Sequence, residues 1–324
     1  MSRPLVESSL KALKQSINQM EHNNNHKLMI GLMGAFTAYL VWGLQPIYWK
    51  MLAGVNAWEV IAHRYWWSAV FLLMFIVLTG QMKALRQTVA KLNVFNSVLL
   101  VLVSLIAVVN WWINIFAPIA GHVVELGIGL FLTPIMSVIL GVVFYRERLS
   151  FLQKFSVVLA VIGVLIMLAR FGQFPWIALG VSGTWAVYGA LKKKLYLQPS
   201  IAIFLETVIV APFALIFLLI FATTDFTDMF VADNSVAWAL IGTAILTSVP
   251  LITYTYATNY LPLNMLGFCQ YISPTLTLCL GIFVYHESFG VDELMPMLFV
   301  WGSIVLFFLG QVRGRHMARK NLPA

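Results

Sequence analysis

Two stretches, PIMSVILGVVFYRE (134–147) and PTLTLCLGIFVYHE (274–287), carry the same lettering 140 residues apart: Pro134, Leu140, Gly141, Tyr145 and Glu147 recur as Pro274, Leu280, Gly281, Tyr285 and Glu287. Both sit in apolar segments of similar length, so the chain reads as an internal duplication. Either proline removes a helical hydrogen bond and is expected to kink its helix, at matching depths in the two copies.

The surroundings of the two stretches decide the fold class. Of 324 residues 61% are apolar and 10% charged, against roughly 45–50% and 25% in soluble domains, too few polar groups to wrap a core. Apolar runs long enough to cross a hydrocarbon layer of ~30 Å fall at 28–49, 57–79, 94–118, 123–145, 155–171, 174–191, 200–222, 236–258, 263–285 and 294–312. A bilayer offers the backbone no hydrogen-bond partners, so each span is expected to be a helix, and the chain an all-α membrane protein of ten transmembrane helices.

The net charge of +8 could suggest nucleic acid, but the positions of the charges speak against it. With the N-terminus inside, 17 of the 20 Lys and Arg fall on the inner side, in the groups 3–27, 83–91, 146–154, 192–194 and 313–320. Lys50 and Arg170 fall outside and Arg64 within a span. That bias predicts both termini on the cytoplasmic side of the membrane. Four segments follow: a cytoplasmic N-terminal extension (1–27), a first five-helix repeat (28–171), a second (174–312) and a basic cytoplasmic tail (313–324). Five crossings per repeat make the second copy enter from the opposite side, so the repeats are inverted. In the extension, Leu10, Leu13, Ile17 and Met20 at helical spacing fit a short amphipathic helix on the inner membrane face, or a basic tail. Cys269 and Cys279 lie ten residues apart in one span, about 15 Å along a helix, too far for a disulfide.

Ionisable side chains inside a membrane are costly and call for a reason. Glu59 and His63 share a face of the second span, with Arg64 beside them. Arg64 is either half of an ion pair locking two helices or a charge for a solute carboxylate. Glu59, Glu125 and Glu206 are candidates for proton coupling or for structural hydrogen bonds, and His63 for a titrating group or a packed histidine. A binding cavity also needs amides and rings. Candidates are Tyr39, Trp42 and Tyr48 in the first span, Asn110, Trp111 and Asn114 in the third, Trp185 and Tyr188 in the sixth, Tyr254 in the eighth, and Gln270 and Tyr271 just before Pro274. No phosphate-binding loop, hydrolytic triad or metal-ligand set is apparent. The sequence specifies no cofactor and no oligomeric state.

Several words together resemble the drug/metabolite transporter superfamily, EamA-type, and within it the RarD-type permeases. They are Trp42-Gly43 with Pro46; Glu59 with His63-Arg64 and Trp67-Ser68; Asn110-Trp111; Glu125, Gly129, Phe131 and Pro134 with Glu147-Arg148; Tyr188-Gly189 with Lys193-Lys194; Glu206-Thr207; Thr247 with Pro250; and Gly267-Phe268, Gln270-Tyr271 and Pro274-Thr275. The resemblance implies ten helices in two inverted repeats and a permease carrying a small solute through the inner membrane by alternating access. A substrate cavity would lie between the repeats, near the midplane. Partners would then be a small-molecule solute and the lipid bilayer, with no nucleic acid. Two other functions remain open: a membrane-embedded lipid-modifying enzyme using Glu59 and His63 as acid and base, and a non-transporting sensor subunit.

Overall fold

A computed structural model describes residues 3–52, 54–119, 122–221, 235–284 and 291–320. These form helices α1 (Arg3–Trp49), α2 (Ala57–Leu78), α3 (Met82–Lys91), α4 (Val94–Ile119), α5 (Val123–Tyr145), α6 (Phe151–Phe171), α7 (Trp176–Leu195), α8 (Pro199–Phe221), α9 (Ser235–Tyr260), α10 (Leu263–Gln270), α11 (Ile272–Phe283) and α12 (Val291–Lys320). No strand occurs among the described residues, and the chain is an all-helical membrane protein.

Local sequence sets the helix ends. The Asn56 side chain accepts from the Trp58 N–H at the start of α2. Ser150 and Gln153 form a reciprocal capping box on α6, satisfying two amides that would otherwise be orphaned in an apolar medium. Pro199 opens α8, where its missing N–H costs nothing. Gly172 closes α6 in the left-handed region. Arg146 takes that conformation at the end of α5 despite its side chain, and the turn it makes is held by Glu147 N–H to Gly141 O.

Eight of these helices contain stretches long and apolar enough to cross a membrane by themselves. Two of the expected spans do not stand alone in that way. The last turn of α7 carries Lys192, Lys193 and Lys194. The segment around Pro274 is interrupted at Tyr271, giving α10 and α11 of 8 and 12 residues. At the N-terminus the helix of the first span runs back unbroken to Arg3, as 5–30 contains neither Gly nor Pro.

Apolar side chains on the outer surface lie in helical stripes, such as Val98, Leu102, Leu105 and Val109 on α4 and Phe155, Val158, Ile162 and Leu165 on α6. Stripes of this size facing outward require lipid. Inside, helices pair in a pattern that a two-fold axis would generate. With α1, α2, α4, α5 and α6 as one set and α7, α8, α9, α10–α11 and α12 as the other, α2 packs on α8, α5 on α10 and α6 on α12. The pair α1–α9 has its mate in α7–α4, and α5–α7 in α11–α1. One mate is deficient: α2 packs extensively on α9, whereas α8 meets α4 only sparsely.

Candidate solute cavity

A cavity opens where α4 and α8 are loosely paired, walled also by α2, α7 and α9. The one cation among its described lining residues is Arg64, 4% exposed. The Arg64 Nε donates to Thr247 Oγ1 at 3.0 Å, which ties α2 to α9. Its guanidinium carbon lies 3.8 Å from the centre of the Trp111 ring and 5.4 Å from that of Trp49. Among the described residues no carboxylate pairs with it. Of the two readings open from sequence, the locking ion pair finds no partner there. A charge at this depth costs at least a few kcal/mol, and a desolvated aromatic face returns only about 2 kcal/mol.

The opposite wall carries a buried network. Lys192 Nζ is 2.7 Å from Glu206 Oε1 and 2.7 Å from the Tyr188 hydroxyl, which itself donates to Glu206 Oε2 at 2.9 Å. Lys192 is 1% exposed, although by sequence it counts as one of three cations in an inner loop. The helix explains the difference: successive residues turn by about 100°, so the run fans out. Lys192 faces the core, Lys193 reaches Glu147 at 3.3 Å, and Lys194 lies over the Phe95 ring.

The expected cavity residues divide into several groups. Arg64, Trp111, Tyr188 and Glu206 line the cavity, together with Trp185. Tyr39, Trp42 and Tyr254 form a second layer of rings: Trp42 lies edge-on to Trp185 at 5.2 Å, and Tyr254 stacks on Tyr188 at 6.1 Å. Asn110 donates to Val181 O and Thr184 Oγ1, and Asn114 to Asn110, clamping α4 to α7. Tyr48 donates to Ala239 O, between α1 and α9. His63 accepts from the Trp67 indole at 3.2 Å and lies 3.9 Å from Glu59, all on α2. Gln270 pairs with Ser137, and Tyr271 packs against Phe131 and Phe268. Glu125 accepts from the Ile177 N–H at 2.7 Å, capping α7 where the helix dipole favours a negative charge. Tyr65, Ser104, Thr207 and Thr247 also line the cavity and were not among the expected residues; nothing in their spacing separates them from hydroxyls and rings elsewhere. No group of three His, Cys, Asp or Glu that could hold a metal occurs among the described residues.

At one end of the cavity the duplicated lettering acts as a clamp. Glu147 accepts from the Leu263 and Asn264 N–H groups at 2.6 and 2.8 Å, capping α10 across 116 residues of chain. The Tyr145 hydroxyl donates to Ala190 O at 2.6 Å. Close packing accompanies the clamp: a Cβ on Gly267 would meet the Pro134 carbonyl oxygen at 2.8 Å. Shifting by the repeat distance leads from Gly267 to Gly127, where a Cβ would find no atom of the described residues within 4 Å. Tyr285 and Glu287, the counterparts of the clamp residues, lie outside the described residues.

Apolar helices in two matching sets around a charged cavity are an arrangement that suits a membrane transporter. The chain belongs to the EamA-like transporter family, whose sequence pattern matches residues 29–169 and, a second time, 175–309, and with that family to the drug/metabolite transporter superfamily. An uncharacterized transporter of Vibrio cholerae is 36% identical over 90% of this chain and 95% of its own length. Protein RarD of Escherichia coli is 33% identical over 87% and 95%, and the uncharacterized transporter YojE of Bacillus subtilis 32% over 93% and 100%. A solved crystal structure shares the fold with a TM-score of 0.66 at 15% identity, over 86% of this chain and 98% of the other.

Proposed function

We propose that this protein is a secondary transporter that moves a small amphipathic solute across the bacterial inner membrane by alternating access. In this reading α10 and α11 together make one crossing and α7 another, giving ten. Both termini are cytoplasmic, and the two five-helix repeats run in opposite senses. The solute occupies the cavity at Arg64, Trp111, Trp185 and Tyr188.

The observation that carries the reading is the unequal fate of Gly267 and Gly127. Among the described residues, α5 packs closely on α10 at one end and only sparsely on α11 at the other. A protein whose halves are alike can form the closed contact at either end, and forming them in turn exposes a central site to each side alternately. With the termini inside, the tight end is cytoplasmic and this conformer faces outward. Transport by rocking also needs a bistable contact and not a continuously deformable one, and a glycine against a backbone oxygen is of that kind.

Paired cysteines test the reading, in a chain with Cys269 and Cys279 replaced by alanine. Ser137 and Gln270 are in contact; the repeat shift turns them into Thr277 and Leu130. A cleavable thiol cross-linker should join cysteines at 137 and 270 in one state and at 130 and 277 in the other. Each tether should stop counterflow of a solute found by thermal-stability screening, and cleavage should restore it. Flux that continues with either pair tethered overturns the proposal.

A further inference from the structure

Charge accounting in the cavity narrows the solute. Its described lining holds one carboxylate, Glu206, and both oxygens of that group are engaged, one by Lys192 and the other by the Tyr188 hydroxyl. No further carboxylate in that lining is left to pair with an ammonium group. Lys192 and Glu206 cancel, so Arg64 gives the site a net positive charge. Its Nε is held by Thr247 and one face is covered by Trp111, while the terminal nitrogens of the fork have no protein acceptor among the described residues.

We propose that the solute is a monocarboxylate anion with an aromatic or broad apolar body and no ammonium group, its carboxylate on the fork of Arg64 and its body between the Trp111 and Trp185 walls; this rests on the transporter reading above. A guanidinium fork matches a planar carboxylate in a bidentate manner. A single uncompensated charge balances a monoanion and leaves a dianion such as a phosphate monoester underpaired. Fixing Arg64 at Nε and from above pre-orients the free edge, so little side-chain freedom is lost when the anion docks. Ile61, Ala107 and Leu251 supply apolar surface beside the rings, which suits a body without further polar groups.

The test uses the purified full chain in lipid nanodiscs with four probes of similar shape: 3-phenylpropionate, 3-phenylpropionamide, 3-phenylpropylammonium and phenylalanine. The anion should bind at least about tenfold more tightly than each of the others, as expected when a charge-assisted bidentate contact is present in one ligand alone. Arg64→Gln should abolish that preference. Equal or tighter binding of the amide, the ammonium or phenylalanine overturns the proposal. So does an anion preference that survives in Arg64→Gln, and so does binding of none of the four. The wild-type series decides even where the variant fails to fold. Arg64-dependent binding of the anion without exchange across proteoliposomes would sink the transporter reading and leave the anion site standing. Exchange of a neutral or cationic solute at this cavity would do the reverse.

Discussion

Helix α5 and the α10–α11 segment carry the same proline at the same register and fold differently. Helix α5 passes Pro134 unbroken, with the Thr133 hydroxyl donating to Gly129 O at 2.8 Å and that of Ser137 to Thr133 O at 3.0 Å. In the second copy the helix stops at Gln270 and restarts at Ile272, with Tyr271 serving both ends. There Thr277, the counterpart of Ser137, donates to Gly43 O of α1 at 3.2 Å, so its hydroxyl is spent between helices and not within one. Proline removes one donor in each copy: Pro134 does so in mid-helix, whereas Pro274 falls in the first turn of α11, where a missing N–H leaves no intrahelical bond unmade. The comparison teaches that the duplication is a symmetry of sequence that the structure does not keep at the two prolines.

The two glycines flanking this region give the largest expected effects. Gly267→Ala puts a methyl 2.8 Å from a backbone oxygen that cannot swing away, and overpacking of this sort costs about 1–3 kcal/mol. The variant should lose that much stability in denaturant unfolding, or shift towards the opposite state with faster cross-linking of cysteines at 130 and 277. Gly127→Ala adds a methyl that meets no described residue within 4 Å and should leave stability equal or higher, by up to about 1 kcal/mol from helix propensity. Its counterflow should nonetheless fall at least about tenfold, since the methyl would obstruct the mirror contact. Normal flux in Gly127→Ala would show that the loose end never closes, and the comparison would lose its functional meaning.

The clamp at the tight end comes next in size. Glu147 holds two backbone amides of α10 and Lys193. Glu147→Gln preserves shape but presents an amide donor to donors, and weakening charge-assisted bonds of this kind costs about 1.5–3 kcal/mol before relaxation. Amide hydrogen exchange at Leu263 and Asn264 should accelerate about tenfold, while α6 amides stay unchanged. Unaltered exchange would mean that close packing at Gly267 holds this end without the carboxylate.

How much of this the sequence displayed differs from one residue to the next. The apolar runs and the repeated lettering were plain, because membrane length and composition are one-dimensional signals. Arg64 stood out as a charge within a span. Lys192 did not: within a basic triplet its burial depends on helix rotation and on Glu206, fourteen residues away in the chain and on the next helix. The interruption at Tyr271 was hidden because Pro134 and Pro274 are the same letter in matching apolar runs, although one falls in mid-helix and the other in a first turn. Glu147 was legible as a repeat but not as a cap, since Leu263 and Asn264 join it only through tertiary packing.

The smallest expected effect tests the hydroxyls themselves. Thr133→Val is nearly isosteric and removes only the bond to Gly129 O, an intrahelical back-bond that spans no interface. A single neutral hydrogen bond contributes about 1 kcal/mol, and here the neighbouring backbone ladder absorbs part of the loss. Stability should fall by about 0.5–1 kcal/mol with counterflow within about twofold of the parent. Thr277→Val removes a bond of the same chemical type that instead ties α11 to α1. It should cost a similar amount of stability yet alter counterflow more, as the proposed closure of the loose end would move the segment it frees against α1. Equal flux in the two variants would place the moving contact elsewhere than α11 and confine the asymmetry of the two copies to local hydrogen bonding.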